Sequence, residues 1–297
     1  MNDGRRAPRV TVVIATYNWA TVLPCSIGSV LDQTFADFEL LVIGDGCTDE
    51  SARVVGAIRD PRVEWVNLPH NTGHQAGPNN EGLRRARGGV VAYLGHDDLW
   101  LPHHLEMLVP VFEDGTAAAH TSVLDVNIRH GITISPPAGW SYTRGDWIPP
   151  TSFALERRAL VAAGGWRGPR DTGDVDPEAD LLARIDAIAG PPAWVPRLTC
   201  VKLPASTRRN VYRTRPSFEQ EHWLRTIRES ADPEATLRAT GGSPYPWTEP
   251  ASTPRAPARA WRRLRRRFRA AEPAGDGSDA PRRALTRYRR NRRYKGL

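Results

Sequence analysis

With only three cysteines in 297 residues, Cys25, Cys47 and Cys200, the chain has no basis for a disulfide framework. The three are odd in number, far apart and form no CxxC pair, which also disfavours a zinc site and suits a reducing compartment. No stretch approaches the ~18 consecutive apolar residues of a membrane span. Residues 1–9 are polar and charged and lead into a short apolar run, without the long apolar core of a signal peptide. That run is followed by neither GxGxxG nor a glycine-rich triphosphate loop, which disfavours a dinucleotide-dependent oxidoreductase and a nucleotidyltransferase. A soluble, cytoplasmic protein is the expectation.

Net positive charge, too, is absent from most of the chain. Residues 255–297 hold 16 Lys+Arg against 3 Asp+Glu, a net +13, whereas the whole chain carries +8, so residues 1–254 are net acidic at −5. The basicity therefore belongs to a tail, and a nucleic-acid reading of the folded part loses its support.

What is present is a regular alternation. Residues 10–15, 39–43, 63–67 and 90–94 are short apolar, largely β-branched runs of the kind buried on both faces of a parallel sheet. Between them, residues 21–31, a segment capped by Thr48 or Asp49, and a segment ending near 87–89 carry apolar residues at helical spacing. Four strands alternating with three helices predict an α/β fold, a mostly parallel sheet with helices on both faces. Beyond residue 102 the pattern predicts a helix at 103–111, strands at 117–126 and 131–135, helices at 156–163 and 179–189, and a strand at 194–202. From residue 230 the sequence turns rich in Pro, Ala, Gly and Thr, and the compact domain is expected to end there.

Ligands of open α/β sheets bind beyond the carboxyl ends of the strands. Here those ends read Ala15-Thr16-Tyr17-Asn18, Gly44-Asp45-Gly46-Cys47-Thr48-Asp49 and Gly95-His96-Asp97-Asp98. Asp45-Gly46 alone also suits a plain turn with Asp49 as a cap, and Asp97-Asp98 a solvated loop. Together they suggest more, because adjacent carboxylates after a buried strand repel unless a cation or donors offset them. Mn²⁺ or Mg²⁺ prefers such oxygens and bridges them to phosphate.

The run from residue 10 to 49, with Ala-Thr-Tyr-Asn, Ser29 to Phe35 and Asp-Gly-Cys-Thr-Asp, resembles the start of family-two glycosyltransferases of the GT-A, Rossmann-like fold. So do Asn71-Thr-Gly73, Asn80-Glu-Gly82, Ala86-Arg-Gly88 and the acidic segment 97–102. The resemblance covers about a hundred residues in order and thins beyond 150. It implies residues 1–230 as the GT-A domain, with 1–100 binding the nucleotide-sugar and 101–230 the acceptor, followed by a linker and basic extension at 231–297. It also implies that Thr16 and Tyr17, next to Ala15, line the base pocket, and that Asp45 accepts from base or ribose. Asp97 would hold a divalent metal against the diphosphate, with Asp98 beside it. His74 and Asn80 lie in segments that face the nucleotide in that family, although His74 equally suits an exposed loop. Gly44 and Gly95 stand where the family commonly has carboxylates, and His96 is the candidate to compensate as ligand or donor.

The family's general base is a carboxylate at a helix start after a Gly-Gly-aromatic turn. Here Gly164-Gly165-Trp166 precedes Glu178, the best match by spacing to the helix, with Asp176 and Asp180 as rivals. The same acids would also favour a helix N-terminus through its dipole alone. The implied reaction is inverting, nonprocessive transfer from a nucleotide-diphosphate sugar donor to a glycan, lipid-linked or small-molecule acceptor. Nonprocessivity is expected because no Gln-x-x-Arg-Trp motif occurs. A noncatalytic nucleotide-binding or scaffold protein is the rival reading, with Gly44 and Gly95 as its marks. Trp140, Trp147 and Trp166 suit either sugar platforms or core. In the tail, Trp261, Leu264 and Phe268 share one helical face among arginines, a pattern that suits an anionic membrane surface on the inner face of the plasma membrane as well as a solvated extension; nucleic acid is disfavoured.

Overall fold

The computed structural model describes residues 6–247. The amphipathic pattern at 260–269 and the basic cluster at 282–295 lie outside the described residues. The first half follows the predicted alternation: β1 (Val10–Thr16), α1 (Leu23–Leu31), β2 (Phe38–Gly44), α2 (Ser51–Gly56), β3 (Val63–Asn67), α3 (Ala76–Arg85) and β4 (Val90–Gly95). β2 and β4 each pair with β1 in parallel, and β3 pairs with β2 in parallel. The apolar run of β1 is buried on both faces: Val10, Val12 and Ile14 join α1 in one core cluster, and Val13 joins Leu83 of α3 in another. Gly82 permits that second packing, since a Cβ there would lie 2.5 Å from a Val13 methyl.

The second half completes the sheet in the order β5 (Leu99–Trp100), α4 (His104–Leu108), β6 (Ala118–Asn127), β7 (Gly131–Ser135), β8 (Phe153–Glu156), α5 (Arg157–Ala162), α6 (Pro169–Thr172), α7 (Pro177–Ala189) and β9 (Ala193–Lys202). α8 (Val211–Thr214), α9 (Phe218–Glu229) and α10 (Pro233–Thr240) follow. The path through the sheet is β3-β2-β1-β4-β8-β6-β9-β5, with β7 on β6. β8 runs antiparallel between β4 and β6, which restores β6 and β9 to the direction of β1.

Some elements differ from expectation for identifiable reasons. The helix expected at 103–111 is α-helical only to Leu108 and continues as a 3₁₀ turn over Val109–Asp114, because Pro110 lacks the N–H an α-helix would use. β8, four residues long, is too short to show alternation in sequence. Packed structure also runs past the boundary expected at residue 230: Leu237 of α10 is fully buried with Trp223, Leu198 and Ile132. The polar composition of 230–242 reflects the outer face of α10 rather than the end of the fold.

Candidate active site

The carboxyl ends of β1, β2 and β4 open into a cleft of about 440 Å³. Six of the expected residues line it: Ala15, Thr16, Tyr17, Asp45, His74 and His96. Asn71, Gly73, Gln75, Pro78 and Tyr212 complete its wall.

Each loop is shaped by its own polar side chains. Asn18 takes a left-handed φ of 56°, which Asn tolerates better than most residues. Its Oδ1 accepts from Thr48 N at 2.7 Å and Asp49 N at 3.2 Å, joining the β1 and β2 loops. Asp49 Oδ1 in turn accepts from Ser51 N at 3.1 Å, at the start of α2. The buried Asp45 carboxylate accepts from Thr72 N at 2.9 Å, Thr72 Oγ1 at 2.8 Å and Gly73 N at 3.3 Å. It therefore fixes the 71–73 loop while lining the cleft. His74 Nδ1 accepts from Ala76 N at 3.1 Å, at the start of α3. His96 Nδ1 lies 3.0 Å from the Ala15 carbonyl, which only accepts, so the ring donates there and presents its other nitrogen as an acceptor. That Nε2 is buried and has no partner among the described residues. The ring packs at 4.6 Å on Trp19, with Tyr212 edge-on at 6.0 Å.

The acidic pair separates in character. Asp98 is buried, and its carboxylate accepts from Thr151 Oγ1, from Lys202 Nζ at 3.2 Å and from Leu203 N at 2.8 Å. Its donors are all internal, and through them it anchors the end of β9. Asp97 is half-buried, and no donor engages its carboxylate among the described residues. Burial, with Asp98 nearby, raises its pKa above the ordinary carboxylate value, while His96 and Lys202 oppose the rise. Burial also works against the charge on Lys202, but Asp98, Asp97 and Asp125 outweigh it and raise its pKa.

The glycines that replace the family's carboxylates are sterically explained. A Cβ on Gly44 would lie 2.4 Å from Asn67 Oδ1 and 2.7 Å from the Trp65 ring. A Cβ on Gly95 would lie 2.7 Å from Asp98 Oδ2. Neither position has room for a side chain while its neighbours stay as they are.

Of the three candidate bases, Glu178 alone connects to the cleft. Its Oε1 accepts from Gln75 Nε2 at 2.5 Å, and Gln75 is a cleft residue. Burial raises the Glu178 pKa, against the lowering effect of its own backbone N–H, Gln75 and Lys202. Asp180 instead pairs with Arg184 at 2.8 Å, and Arg184 also donates to the carbonyls of Ala163 and Gly165; this network holds the Gly-Gly-Trp turn. Asp176 is exposed at the start of α7. Asn80 does not line the cleft: its amide accepts from Trp166 N at 2.8 Å and donates to Trp166 O at 2.9 Å. Trp166 is core, edge-on to Tyr93 at 5.0 Å.

Gln75, Tyr212 and Lys202 escaped the sequence reading. Gln75 precedes a helix whose start was indistinct. Tyr212 lies on a one-turn helix some two hundred residues from β1, and Lys202 gains meaning only once β9 lies beside Asp98.

Among the described residues, no three His, Cys, Asp or Glu side chains converge as a metal cluster, and no helix is long and apolar enough to cross a membrane. The donor chemistry of Asp97, a carboxylate that no donor engages among the described residues, fits a hard divalent cation whose remaining ligands come from phosphate and water.

Comparison with known proteins agrees with this architecture. The sequence model of the family described as Glycosyl transferase family 2 matches residues 11–136. An uncharacterized glycosyltransferase of Nostoc sp. is 36% identical over 168 residues, covering 52% of this chain and 52% of the relative. The UDP-Glc:alpha-D-GlcNAc-diphosphoundecaprenol beta-1,3-glucosyltransferase WfgD of Escherichia coli is 35% identical over 100 residues, covering 34% of this chain and 39% of the relative. The chain thus spans about half or less of the length of these curated relatives. Among solved structures, the mannosyltransferase PcManGT of Pyrobaculum calidifontis, in complex with GDP-Man and Mn2+, superposes with a TM-score of 0.55 at 20% identity, covering 98% of this chain and 88% of that one. The fold is GT-A.

Proposed function

From the match of residues 11–136 to the model of glycosyl transferase family 2, we propose that the protein is an inverting, nonprocessive, metal-dependent glycosyltransferase that moves a sugar from a nucleotide-diphosphate donor to an acceptor hydroxyl. The observation that carries this reading is the convergence on one sheet edge of the Thr16–Tyr17–Asp45 wall, the unengaged Asp97 carboxylate, and Glu178 through Gln75.

In this reading the nucleoside lies in the cleft between Tyr17 and the loop that Asp45 holds. Asp97 would hold the divalent ion, which supplies charge neutralisation to the departing diphosphate. Lys202, whose charge is secured by Asp98, adds fixed positive potential beneath the same region. Glu178 takes the proton of the acceptor hydroxyl as its oxygen bonds to the anomeric carbon and the sugar–phosphate bond breaks. One displacement inverts the anomeric centre. Desolvation raises the Glu178 pKa and so strengthens it as a base.

The cell-envelope setting, a lipid-linked or glycan acceptor, and a cytoplasmic location at the membrane surface are part of the same proposal. They are supported by the diphosphoundecaprenol named for the E. coli relative and by the arginine-rich tail. A thermal-shift screen of UDP, GDP and their sugars with and without Mn²⁺ tests the reading. Metal-dependent stabilisation by one nucleotide supports it, and no shift with any would refute it. The internal donors on Asp98 favour one rival, a nucleotide-binding scaffold, which would bind nucleotide but show no donor hydrolysis or transfer.

A further inference from the structure

A second cavity, of about 460 Å³, lies outside the donor cleft and has no role in the mechanism above. Its wall includes His120, Thr121, Trp140, Asp146, Trp147 and Ser152.

The chemistry of the wall is specific. His120 is fully buried, yet among the described residues its Nε2 has no hydrogen-bond partner. Its Nδ1 lies 3.3 Å from the Thr121 carbonyl, which only accepts, so Nε2 is a lone-pair acceptor. Burial drops the ring's pKa to about 4, so it is neutral at physiological pH. Trp140 stands edge-on to His120 at 5.4 Å and to Trp194 at 6.2 Å, which fixes its orientation. Trp147 is 46% exposed, an indole left in solvent at the cavity wall. A singly exposed indole is ordinary on a protein surface, but this one borders the cavity. Indole faces together with a neutral acceptor, hydroxyls and a carboxylate match a neutral pyranose: CH groups on its faces, hydroxyls on its rim.

The cavity is linked to the donor side by one turn. Ser152 lines it, while the adjacent Thr151 accepts from Gly95 N at 3.2 Å and donates to Asp98. We propose that this cavity is a subsite for a neutral pyranose unit of the acceptor, beyond the unit that carries the reacting hydroxyl, so that the acceptor is a saccharide. The acceptor role rests on the glycosyltransferase reading; sugar binding in the cavity does not.

The test is saturation-transfer NMR on the full chain with methyl pyranosides of glucose, galactose, mannose and N-acetylglucosamine, in the absence and presence of saturating UDP or GDP. At least one pyranoside is expected to bind whether or not nucleotide is present, and Trp147→Ala, an exposed position, to weaken it about tenfold with the melting temperature retained. His120→Gln is the second variant, expected to weaken binding without touching nucleotide affinity. Failure of every pyranoside to bind, or equal binding by Trp147→Ala, overturns the subsite. Failure of nucleotide to bind while pyranoside binding persists would strike the donor-cleft reading and the acceptor role together, and leave the cavity a sugar site.

Discussion

Gln75 donates a 2.5 Å hydrogen bond to Glu178 across more than a hundred residues of sequence, tying a side chain of the nucleotide cleft to a carboxylate at the start of α7. The two halves of the proposed chemistry meet at this contact. Removing the carboxylate should stop proton transfer without disturbing the donor. Glu178→Gln is expected to lower kcat by about 10²–10⁴-fold while nucleotide-diphosphate affinity is unchanged. Full activity in this variant would refute the base assignment.

The same contact sets a pH dependence. Burial holds the Glu178 pKa above its ordinary 4.5, and Gln75 holds it down. The base form is lost as pH falls through the pKa, so the acid limb of kcat/KM should lie above the ordinary carboxylate range. Gln75→Leu removes a donor to the ionised form and should move that limb to still higher pH, with the plateau rate largely kept. A limb that stays in place, or moves down, would separate Glu178 from the rate profile.

Asp97 and Asp98 are adjacent in sequence and should fail differently. Asp97→Asn is expected to abolish Mn²⁺-dependent nucleotide stabilisation and transfer, with little change in melting temperature. Asp98→Ala strands Lys202 and the Leu203 N–H in the interior. Its cost should be on the order of 3–5 kcal/mol of stability, read by thermal or urea unfolding. Equal loss of metal response in two equally stable variants would put Asp98 in the metal set.

These two residues also mark the limit of sequence legibility. β1 to β4 could be read because each is buried on both faces and so apolar throughout, and their carboxyl ends are where α/β ligands bind. The cleft residues Thr16, Tyr17 and Asp45 follow from that rule. Which of two neighbouring aspartates faces outward depends on Thr151 and Lys202, brought up by β8 and β9 from fifty to a hundred residues away. The orientation of Asn80 likewise depends on a distant partner, since Trp166 lies 86 residues on.

Restoring the carboxylates usual in the family should harm this chain. Gly95→Asp would push a side chain into the Asp98 carboxylate, and Gly44→Asp into Asn67 and Trp65. Each is expected to cost about 1–3 kcal/mol by overpacking, without tighter Mn²⁺ binding. A variant of unchanged stability with stronger metal affinity would show that the pockets around these glycines open readily.

The helix beyond residue 230 offers the last test. Leu237 is fully buried, and Glu234 accepts from Leu198 N at 2.9 Å and Arg197 Nε at 2.7 Å. Leu237→Ala should cost about 2–5 kcal/mol through the cavity it leaves. Truncation after residue 230 should cost more, because it also leaves the buried Leu198 N–H without an acceptor. Although burial opposes it, Leu198 N–H, Arg197 and Arg238 hold the Glu234 carboxyl below its ordinary 4.5. The stability this group supplies is present above that value and lost as pH falls through the depressed pKa, so Glu234→Gln should flatten the acid side of the stability profile. If the truncated chain melted at the same temperature as the full one, α10 would be an accessory to the fold, and the Pro- and Ala-rich composition from residue 230 would mark its true end.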